Sequence, residues 1–451
     1  MQVIQAKSAL LPTGWARDVT VQIGADGRIT SLEPAPADMG VDILLPAPAN
    51  VHSHSFQRAM AGLSERRGAS GKDSFWTWRQ LMFRFLDQLS PDDIEAIAAQ
   101  VQMEMLEAGF ASIGEFHYLH HRPGGAPYDD LAEMSARIAA AADQTGIGLT
   151  LLPVLYHQGG VDGRPLGPGQ VRFGTGPARF FGLLEAAKGA ISNLPGDTVL
   201  GVAPHSLRAV SRPALREIAR ATTGPLHLHL AEQMAEVAEI SAAYGARPVQ
   251  WLLDNQPPDA RWCLIHCTQM VPRETTALAA TGAVAGLCPI TEGSLGDGIF
   301  DGARWVQAKG AFAIGSDSNI RISLTGELRQ MEYSQRLRDH ARAVLATPDR
   351  STGRFLYDSI LTGGAQAMGR RSGAISAGNF ADLLALDGDA VDLTGRQDDL
   401  ALDTWIFTSG DNLVRDVWSA GRHMVRDGQH IARHRITAKY RACLAGLADA
   451  M

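Results

Sequence analysis

Two histidines placed two residues apart, His52 and His54, close an apolar run that begins at Ile43. On a β-strand, residues at i and i+2 point to the same face, so these two imidazoles could bind one metal ion together. A pair of this kind also occurs in ordinary loops. Further ligands are therefore needed before the motif indicates a metal site.

Further polar residues stand where later apolar runs end. His229 and Glu232 lie in LHLHLAEQ, His266 closes the run RWCLIH, and Asp317 follows an apolar run in AFAIGSDSN. His227 shares the segment of His229 but lies farther from the end of the run. We therefore predict that His229 reaches the site and that His227 packs in the interior.

This set of side chains is chemically coherent. Three neutral imidazoles and one carboxylate suit a single zinc ion that keeps one position open for water. Zinc can lower the pKa of that water to about 7, so such a site would attack a trigonal carbon bearing nitrogen and expel ammonia. The predicted metal ligands are His52, His54, His229 and Asp317. The predicted proton-transfer residues are Glu232, His266 and Asp317.

A second metal has no support in the sequence. In binuclear sites of this kind a carbamylated lysine bridges the two ions, and no lysine ends the run VLGVAPHS. We therefore expect one divalent metal per chain, with zinc as the preferred ion.

The elements that must position these residues are short apolar runs alternating with helical segments. Eight runs rich in Val, Ile and Leu occupy 43–51, 111–116, 148–155, 199–203, 225–230, 261–266, 284–288 and 310–315. Eight such units predict an α/β fold with a (β/α)8 barrel of the TIM type, whose active site lies at the C-terminal ends of the strands. An open doubly wound sheet is the alternative, but no GxGxxG motif follows the first run.

Both ends of the chain differ from its middle. Residues 1–45 alternate between apolar and polar, with a turn signal at Asp26-Gly27, and the segments 381–386, 405–408 and 414–418 are short and strand-like again. A chain of 451 residues is long enough for two domains. The predicted division is a small β domain from 1–45 plus 373–435, a barrel from 46–372, and a C-terminal helix from 436–451.

The composition of the chain indicates which kinds of binding partner to expect. The net charge of −7, with both signs mixed along the chain, argues against nucleic acid. No stretch of about 18 apolar residues and no signal peptide is found, so we expect a cytoplasmic protein that does not enter a membrane. The four cysteines lack CxxC spacing and are predicted to be reduced thiols. The expected partner is a small-molecule substrate.

The motifs together resemble the deaminase branch of the amidohydrolase superfamily, nearly end to end. The phrases VHSHSFQRAMAGL, DSFWTWR, GEFHYLHH, APHSLRAV, HLHLAEQ and GSDS are similar to those of the formimidoylglutamate deiminase family. The resemblance implies hydrolysis of N-formimino-L-glutamate to N-formyl-L-glutamate and ammonia in histidine degradation. It also implies mononuclear zinc on the ligands named above, and a homodimer.

A dicarboxylate substrate needs cationic and polar donors. The resemblance assigns this role to Gln57, Arg79, Tyr118, His205 and Arg208. Arg58, which follows Gln57, is predicted to be structural. Trp76 and Trp78 could form a lid over the pocket or merely pack, and the sequence leaves both readings open.

Three positions depart from the family pattern: Ala47 where a glycine is common, and Gln269 and Asn319 where related deaminases often carry a histidine. Two rival functions remain open. One is another deaminase of the same branch acting on a purine, pterin or pyrimidine, for which aromatic walls would suit better than several arginines. The other is a barrel that has lost catalysis and serves as a binding scaffold, which the intact set of histidines and carboxylates opposes.

Overall fold

The computed structural model describes residues 2–37, 39–65 and 74–448. The strands are β1 (Gln2–Leu11), β2 (Gly14–Ile23), β3 (Ile29–Pro34), β4 (Val41–Pro46), β5 (Ala49–Ser53), β6 (Ser112–His117), β7 (Gly148–Leu155), β8 (Val199–Leu200), β9 (Ala203–Pro204), β10 (Leu226–Leu230), β11 (Trp262–His266), β12 (Val284–Leu287), β13 (Ala311–Ile314), β14 (Leu383–Leu386), β15 (Val414–Ser419), β16 (Arg422–Arg426) and β17 (Gln429–His430).

The helices surround and follow these strands. They are α1 (Phe75–Leu86), α2 (Pro91–Glu107), α3 (Glu133–Thr145), α4 (Pro177–Ala190), α5 (Arg212–Ala221), α6 (Met234–Tyr244), α7 (Pro248–Asn255), α8 (Pro272–Ala279), α9 (Pro289–Leu295), α10 (Gly302–Gln307), α11 (Leu324–Asp339), α12 (Thr352–Met368), α13 (Asp399–Phe407) and α14 (Arg433–Ala448). None of the described helices is both long and apolar enough to cross a membrane.

Strands β5 to β13 form a closed parallel barrel. Strands β5, β6, β7 and the interrupted pair β8/β9 make one side, and β10 to β13 make the other. Parallel bridges from Val202 to Leu226 and from Ser53 to Asp317 join the two sides. The predicted TIM-type barrel is therefore confirmed, and an open sheet is excluded.

Closure depends on a glycine at the last seam. A Cβ atom on Gly315 would lie 2.7 Å from the backbone nitrogen and oxygen of His52, so no larger residue fits there. This close approach brings the loop after β13 against the end of β5.

Both ends of the chain build one eight-stranded sheet in the order β17-β16-β15-β14-β4-β1-β2-β3. Strand β4 pairs parallel to β1 and antiparallel to β14, which joins the two chain ends. One face buries a separate apolar core that includes Val21, Ile29, Leu44 and Trp418. The predicted small β domain of both termini is confirmed, while its boundaries at 45/46 and 372/373 stay a prediction.

Three details differ from the sequence prediction. The segment 405–408 is the end of helix α13 and not a strand, because Ala401, Leu402, Trp405 and Ile406 recur with helical spacing and are buried together. The first apolar run splits into β4 and β5, because Pro46 and Pro48 interrupt the ladder of hydrogen bonds. Helix α14 begins at Arg433 rather than at position 436, and positions 449–451 of the predicted helix lie outside the described residues.

A buried ionic network ties the barrel to the small sheet. Arg370, which follows α12 and is fully buried, lies 3.1 Å from carboxylate oxygens of both Asp197 and Asp382. Arg422 of β16 binds Asp197 with both of its terminal nitrogens at 2.8 Å. Removing Arg370 would leave the buried carboxylate of Asp382 without its cation, although Asp197 would keep Arg422. Leaving one buried charge unpaired in this way costs about 3–5 kcal/mol.

We predict that Arg370→Met lowers the free energy of unfolding by about 3–5 kcal/mol. Denaturant titration followed by circular dichroism measures this loss. Arg350→Met is the matched control, because Arg350 lies at the surface and its ion pairs with exposed Asp349 and half-buried Asp358 contribute less than about 1 kcal/mol each. Equal stability of the two variants would contradict a structural role for the network.

Candidate metal centre and active site

The predicted site residues converge at the C-terminal rim of the barrel. His52 and His54 come from the end of β5, His229 from β10 and His266 from β11, while Asp317 follows β13. His266 and Asp317 have positive φ angles of 72° and 46°. Such angles are uncommon outside glycine and cost about 1–3 kcal/mol, so the surrounding structure must impose them.

A hydrogen-bond clamp around Asn319 holds Asp317 in place. The Asn319 amide donates to the backbone oxygens of His54 and Asp317 at 3.2 and 3.1 Å and accepts from the Ser316 hydroxyl at 2.6 Å. Asn50 of β5 donates to the same hydroxyl at 2.7 Å. Asn319, a departure from the family pattern, thus lies behind the site and fixes the seam between the first and last strands.

One donor atom from each of His52, His229, His266 and Asp317 lies within 4.8 Å of the others, and all four side chains are buried. His54 completes the group, because its Nε2 and the Nε2 of His52 both lie 3.3 Å from Asp317 Oδ1. The structure therefore brings together every residue that the sequence nominated as a ligand, with His266 beside them.

The orientation of the imidazoles fits a metal ion. His54 and His229 use Nδ1 for hydrogen bonds to the backbone oxygens of Phe116 at 3.0 Å and His205 at 3.1 Å, which leaves Nε2 facing the cluster. Neither ring nitrogen of the fully buried His52 has a hydrogen-bond partner among the described residues. Buried polar atoms are rarely left without partners, and a cation in the cluster would supply one for Nε2, the nitrogen that faces Asp317.

Burial sets the charge of the cluster. It lowers the pKa of His52 to about 3 and also lowers the pKa values of His54 and His229, so these imidazoles are neutral at pH 7. Burial alone would raise the pKa of Asp317, but the neighbouring imidazoles hold it below its ordinary value. Neutral imidazoles and an ionised carboxylate are the protonation states that metal binding needs.

Two glutamates flank His266. Glu292, from helix α9, lies 3.2 Å from its Nδ1, and Glu232 lies 3.8 Å from its Nε2. Burial raises the pKa of Glu232 to about 7, with the nearby carboxylate of Asp317 adding to the effect of burial and His266 opposing it. A carboxyl group with such a pKa can both release and accept a proton near neutral pH. Glu292 was missed from the sequence because it does not lie at a strand end.

A cavity opens above the cluster. All five residues that the resemblance assigned to substrate binding line it: Gln57, Arg79, Tyr118, His205 and Arg208. The lining also contains residues that the sequence did not single out, among them Met82, Tyr156, Phe173 and Leu295. Tyr156 directly follows β7, and that position at a strand end was the signal that could have found it.

The cavity holds two guanidinium groups that form no direct ion pair with a described carboxylate, those of Arg79 and Arg208. Arg208 is only 8% exposed and its Nε has no hydrogen-bond partner. Both guanidinium groups lie near the ring of Trp76, at 5.5 Å (Arg79) and 6.0 Å (Arg208) from its centroid. Burial lowers the pKa of Arg79, whereas at Arg208 burial is outweighed by the nearby carboxylates of Glu236, Glu232 and Glu239, which raise its pKa. An anionic ligand would give both groups a direct partner, and Arg79 has the greater need of one.

The remaining sequence predictions can be placed around the site. His227 is buried and its Nε2 lies 2.8 Å from the backbone oxygen of Ala367, as expected of a packing residue. Arg58 binds Glu104 at 2.8 Å outside the cavity. Trp78 lines the cavity, whereas Trp76 is 37% exposed. The four cysteines are buried and form no disulfide.

A cluster of histidines and an aspartate on the C-terminal rim of a (β/α)8 barrel defines a metal-dependent hydrolase of the amidohydrolase type. The chain belongs to the Amidohydrolase family, whose sequence model matches residues 43–424. Residues 1–42 match the N-terminal domain of formimidoylglutamate deiminase HutF. The chain is therefore a hydrolase with a site suited to a divalent metal.

Two relatives of known name differ widely in their sequence identity to this chain. The chain is 46% identical to the formimidoylglutamate deiminase of Pseudomonas aeruginosa over the full length of both proteins. It is 26% identical to a 5-methylthioadenosine/S-adenosylhomocysteine deaminase of Halobacterium salinarum, covering 93% of this chain and 89% of the relative. Purine-type deaminases are thus distant relatives.

Solved structures agree on the fold. An amidohydrolase from Brucella melitensis superposes with a TM-score of 0.94 at 45% identity, covering 99% of this chain and all of the other. An adenosine deaminase from Xanthomonas campestris with bound zinc gives a TM-score of 0.82 at 20% identity, covering 99% and 98% of the two chains. At that lower identity the likeness shows the barrel fold alone.

We predict that the purified chain binds about one zinc ion, and that His52→Ala removes most of the metal together with the activity. Elemental analysis after dialysis measures the stoichiometry. His434→Ala is the control, because His434 is an exposed residue of α14 far from the cluster. Two tightly bound metal ions per wild-type chain would refute a mononuclear site.

Proposed function

We propose that this chain hydrolyses N-formimino-L-glutamate to N-formyl-L-glutamate and ammonia, the reaction of histidine degradation that its formimidoylglutamate deiminase relative is named for. The proposed cofactor is one zinc ion on His52, His54, His229 and Asp317. We also propose a cytoplasmic homodimer without nucleic-acid partners, for which the family resemblance and the charge of the chain are the support. Light scattering of the purified protein measures the oligomeric state.

The single observation that carries the substrate assignment is the pair of guanidinium groups in the cavity. N-formimino-L-glutamate has two carboxylates, and Arg79 and Arg208 offer two cations that form no direct ion pair with a described carboxylate. Charge-assisted hydrogen bonds to carboxylates are about twice as strong as neutral ones. The cavity therefore matches a small dianion close to a hydrolytic centre.

The chemistry requires water to attack the formimino carbon and its protons to reach the leaving nitrogen. When bound, a divalent metal would supply a water that is acidic enough to act as hydroxide near neutral pH. Asp317 accepts a proton from the water. His266 helps to remove this proton and then faces the negative charge that develops on the attacked group. Glu232 delivers a proton to the nitrogen that leaves as ammonia.

Proton delivery by Glu232 agrees with its surroundings. Its carboxyl group lies beside His266 at 3.8 Å, and its backbone nitrogen donates to Glu236 at 3.0 Å, which fixes the loop after β10. The side chains of Glu232 and His266 line the same cavity as Arg79 and Arg208. A proton taken from the attacking water can thus reach the leaving nitrogen without passing into bulk solvent.

We predict that Glu232→Gln and His266→Asn each retain zinc but lower kcat by at least about 10²-fold, the usual contribution of a positioned acid or base. Steady-state ammonia release and metal analysis on the same samples provide the measurement. Glu217→Gln, an exposed change on α5, serves as the control. Loss of zinc from His266→Asn would instead place His266 among the ligands, and full activity would remove either residue from the mechanism.

We predict that Arg208→Met lowers kcat/KM for N-formimino-L-glutamate by about 10- to 100-fold, because a hydrogen bond to a charged group contributes about 1.5–3 kcal/mol. Zinc content should not change, and an N-alkylformamidine without carboxylates should be turned over as before. Arg164→Met is the matched control, because Arg164 pairs with Asp162 at the surface.

The wild-type protein decides between the two deaminase functions. Ammonia release from N-formimino-L-glutamate, but not from purines, pterins or pyrimidines, supports the proposal. A zinc-loaded wild-type chain that released no ammonia from N-formimino-L-glutamate would overturn it. Ammonia release from a purine, pterin or pyrimidine alone would favour the other deaminase function.

A further inference from the structure

Tyr156 lies in the wall of the active-site cavity, directly after strand β7. Its side chain is 3% exposed and packs against the rings of His205 and Phe173, with centroid distances of 4.6 and 5.7 Å. Its hydroxyl oxygen lies 2.9 Å from Nη2 of Arg79 and 2.7 Å from Nε2 of Gln170. The tyrosine thus contacts the guanidinium group of Arg79, which forms no ion pair with a described carboxylate.

The direction of both hydrogen bonds is fixed. A guanidinium group has donors and no acceptor, so Arg79 donates to the phenolic oxygen. The Gln170 amide cannot be reversed, because its Oε1 accepts the backbone N–H of Gly167 at 2.8 Å. Its Nε2 must therefore also donate to Tyr156.

A phenolic hydroxyl has one hydrogen to donate and accepts at most two hydrogen bonds. The two acceptor positions of Tyr156 are filled by Arg79 and Gln170, so its own hydrogen needs an acceptor. No hydrogen bond donated by this hydroxyl is found in the part of the chain that the structure describes. Donation from a guanidinium group also polarises the phenol and strengthens it as a donor.

We propose that Tyr156 donates its hydroxyl hydrogen to the substrate carboxylate that Arg79 binds, which makes Tyr156 a specificity-determining residue of this site. Gln170 is then a positioning residue that acts through Tyr156. The inference rests on the proposed function, because it needs a carboxylate-bearing substrate in this cavity. It adds a neutral donor to the set of residues that the sequence resemblance supplied.

The first test is Tyr156→Phe in the zinc-loaded full chain. The variant keeps the ring and loses only the hydroxyl, so KM for N-formimino-L-glutamate should rise about 10-fold or more while kcat stays within about 3-fold. Turnover of an N-alkylformamidine without carboxylates should not change. Tyr333→Phe, on the outer face of α11, is the matched loss of a phenolic hydroxyl and should behave as the wild type.

The second test is Gln170→Glu. The new carboxylate can still accept the Gly167 N–H, but it offers Tyr156 an acceptor and would turn the hydroxyl hydrogen away from the substrate. The KM of Gln170→Glu should therefore rise as much as that of Tyr156→Phe, and the double variant should be no worse than Tyr156→Phe alone. If Gln170 merely anchored the loop, Gln170→Glu would not raise KM, because the contact between residues 156 and 170 would survive the change.

The outcomes separate the two proposals. If the wild type releases ammonia from N-formimino-L-glutamate and both variants keep its KM, Tyr156 is not a donor and the proposed function stands. If the two losses add in the double variant, the glutamate acts by repelling the substrate, and donor diversion is wrong. If the wild type releases no ammonia, the proposed function fails and the inference fails with it. Should Tyr156→Phe not fold, an unchanged KM in Gln170→Glu would still overturn the inference.

Discussion

The closure of the barrel between its first and last strands is the constraint on which the site depends. At this seam the backbone nitrogens of Ser316 and Asp317 both donate to the oxygen of His52, at 3.1 and 2.9 Å, and His54 donates back to Asp317 at 2.9 Å. These contacts join residues that are far apart in sequence and bring two imidazoles against one carboxylate. Gly315 permits the approach, since any side chain there would overlap the backbone of His52.

The same seam explains why a cluster with so many buried polar groups can persist. Desolvated imidazoles and a left-handed backbone at His266 and Asp317 cost free energy, and such costs are tolerated only where the surrounding structure fixes the conformation. The hydrogen bonds of Asn50, Ser316 and Asn319 do so for Asp317 from behind the cluster. A bound metal would add further stability, because it would bind the folded arrangement and not the unfolded chain.

The sequence predicts polar site residues best where they lie at the ends of strands. His52, His229 and His266 were found because an apolar run predicts a strand and a barrel places the strand end at the rim. Glu292 was missed because it reaches His266 from helix α9, and contacts between elements cannot be read from a single sequence. Tyr156 does follow a strand, but a lone aromatic residue at that position more often packs in a core.

The errors in the fold have a similar origin. A short apolar segment such as the one at Trp405 is compatible with a strand or a helix, and only the buried positions before it reveal the helical spacing. The split of the first run into β4 and β5 was signalled by Pro46 and Pro48, yet the run from 43 to 51 contains only one polar residue, Asn50, and so resembles a single buried strand.

The arrangement separates the reaction from the choice of substrate. The groups proposed to react lie at strand ends near the seam. The guanidinium groups that line the cavity come from elsewhere, Arg79 from helix α1 and Arg208 from the loop before α5. Loops and short helices can change without disturbing the barrel, so one hydrolytic centre can serve substrates of different charge. Under the proposed function, Arg79 and Arg208 would give the cavity a preference for carboxylates that the metal cluster alone would not have. A guanidinium group with no direct ion pair gains more from a carboxylate than from a neutral ring, so the charge balance of the cavity wall would set the substrate specificity.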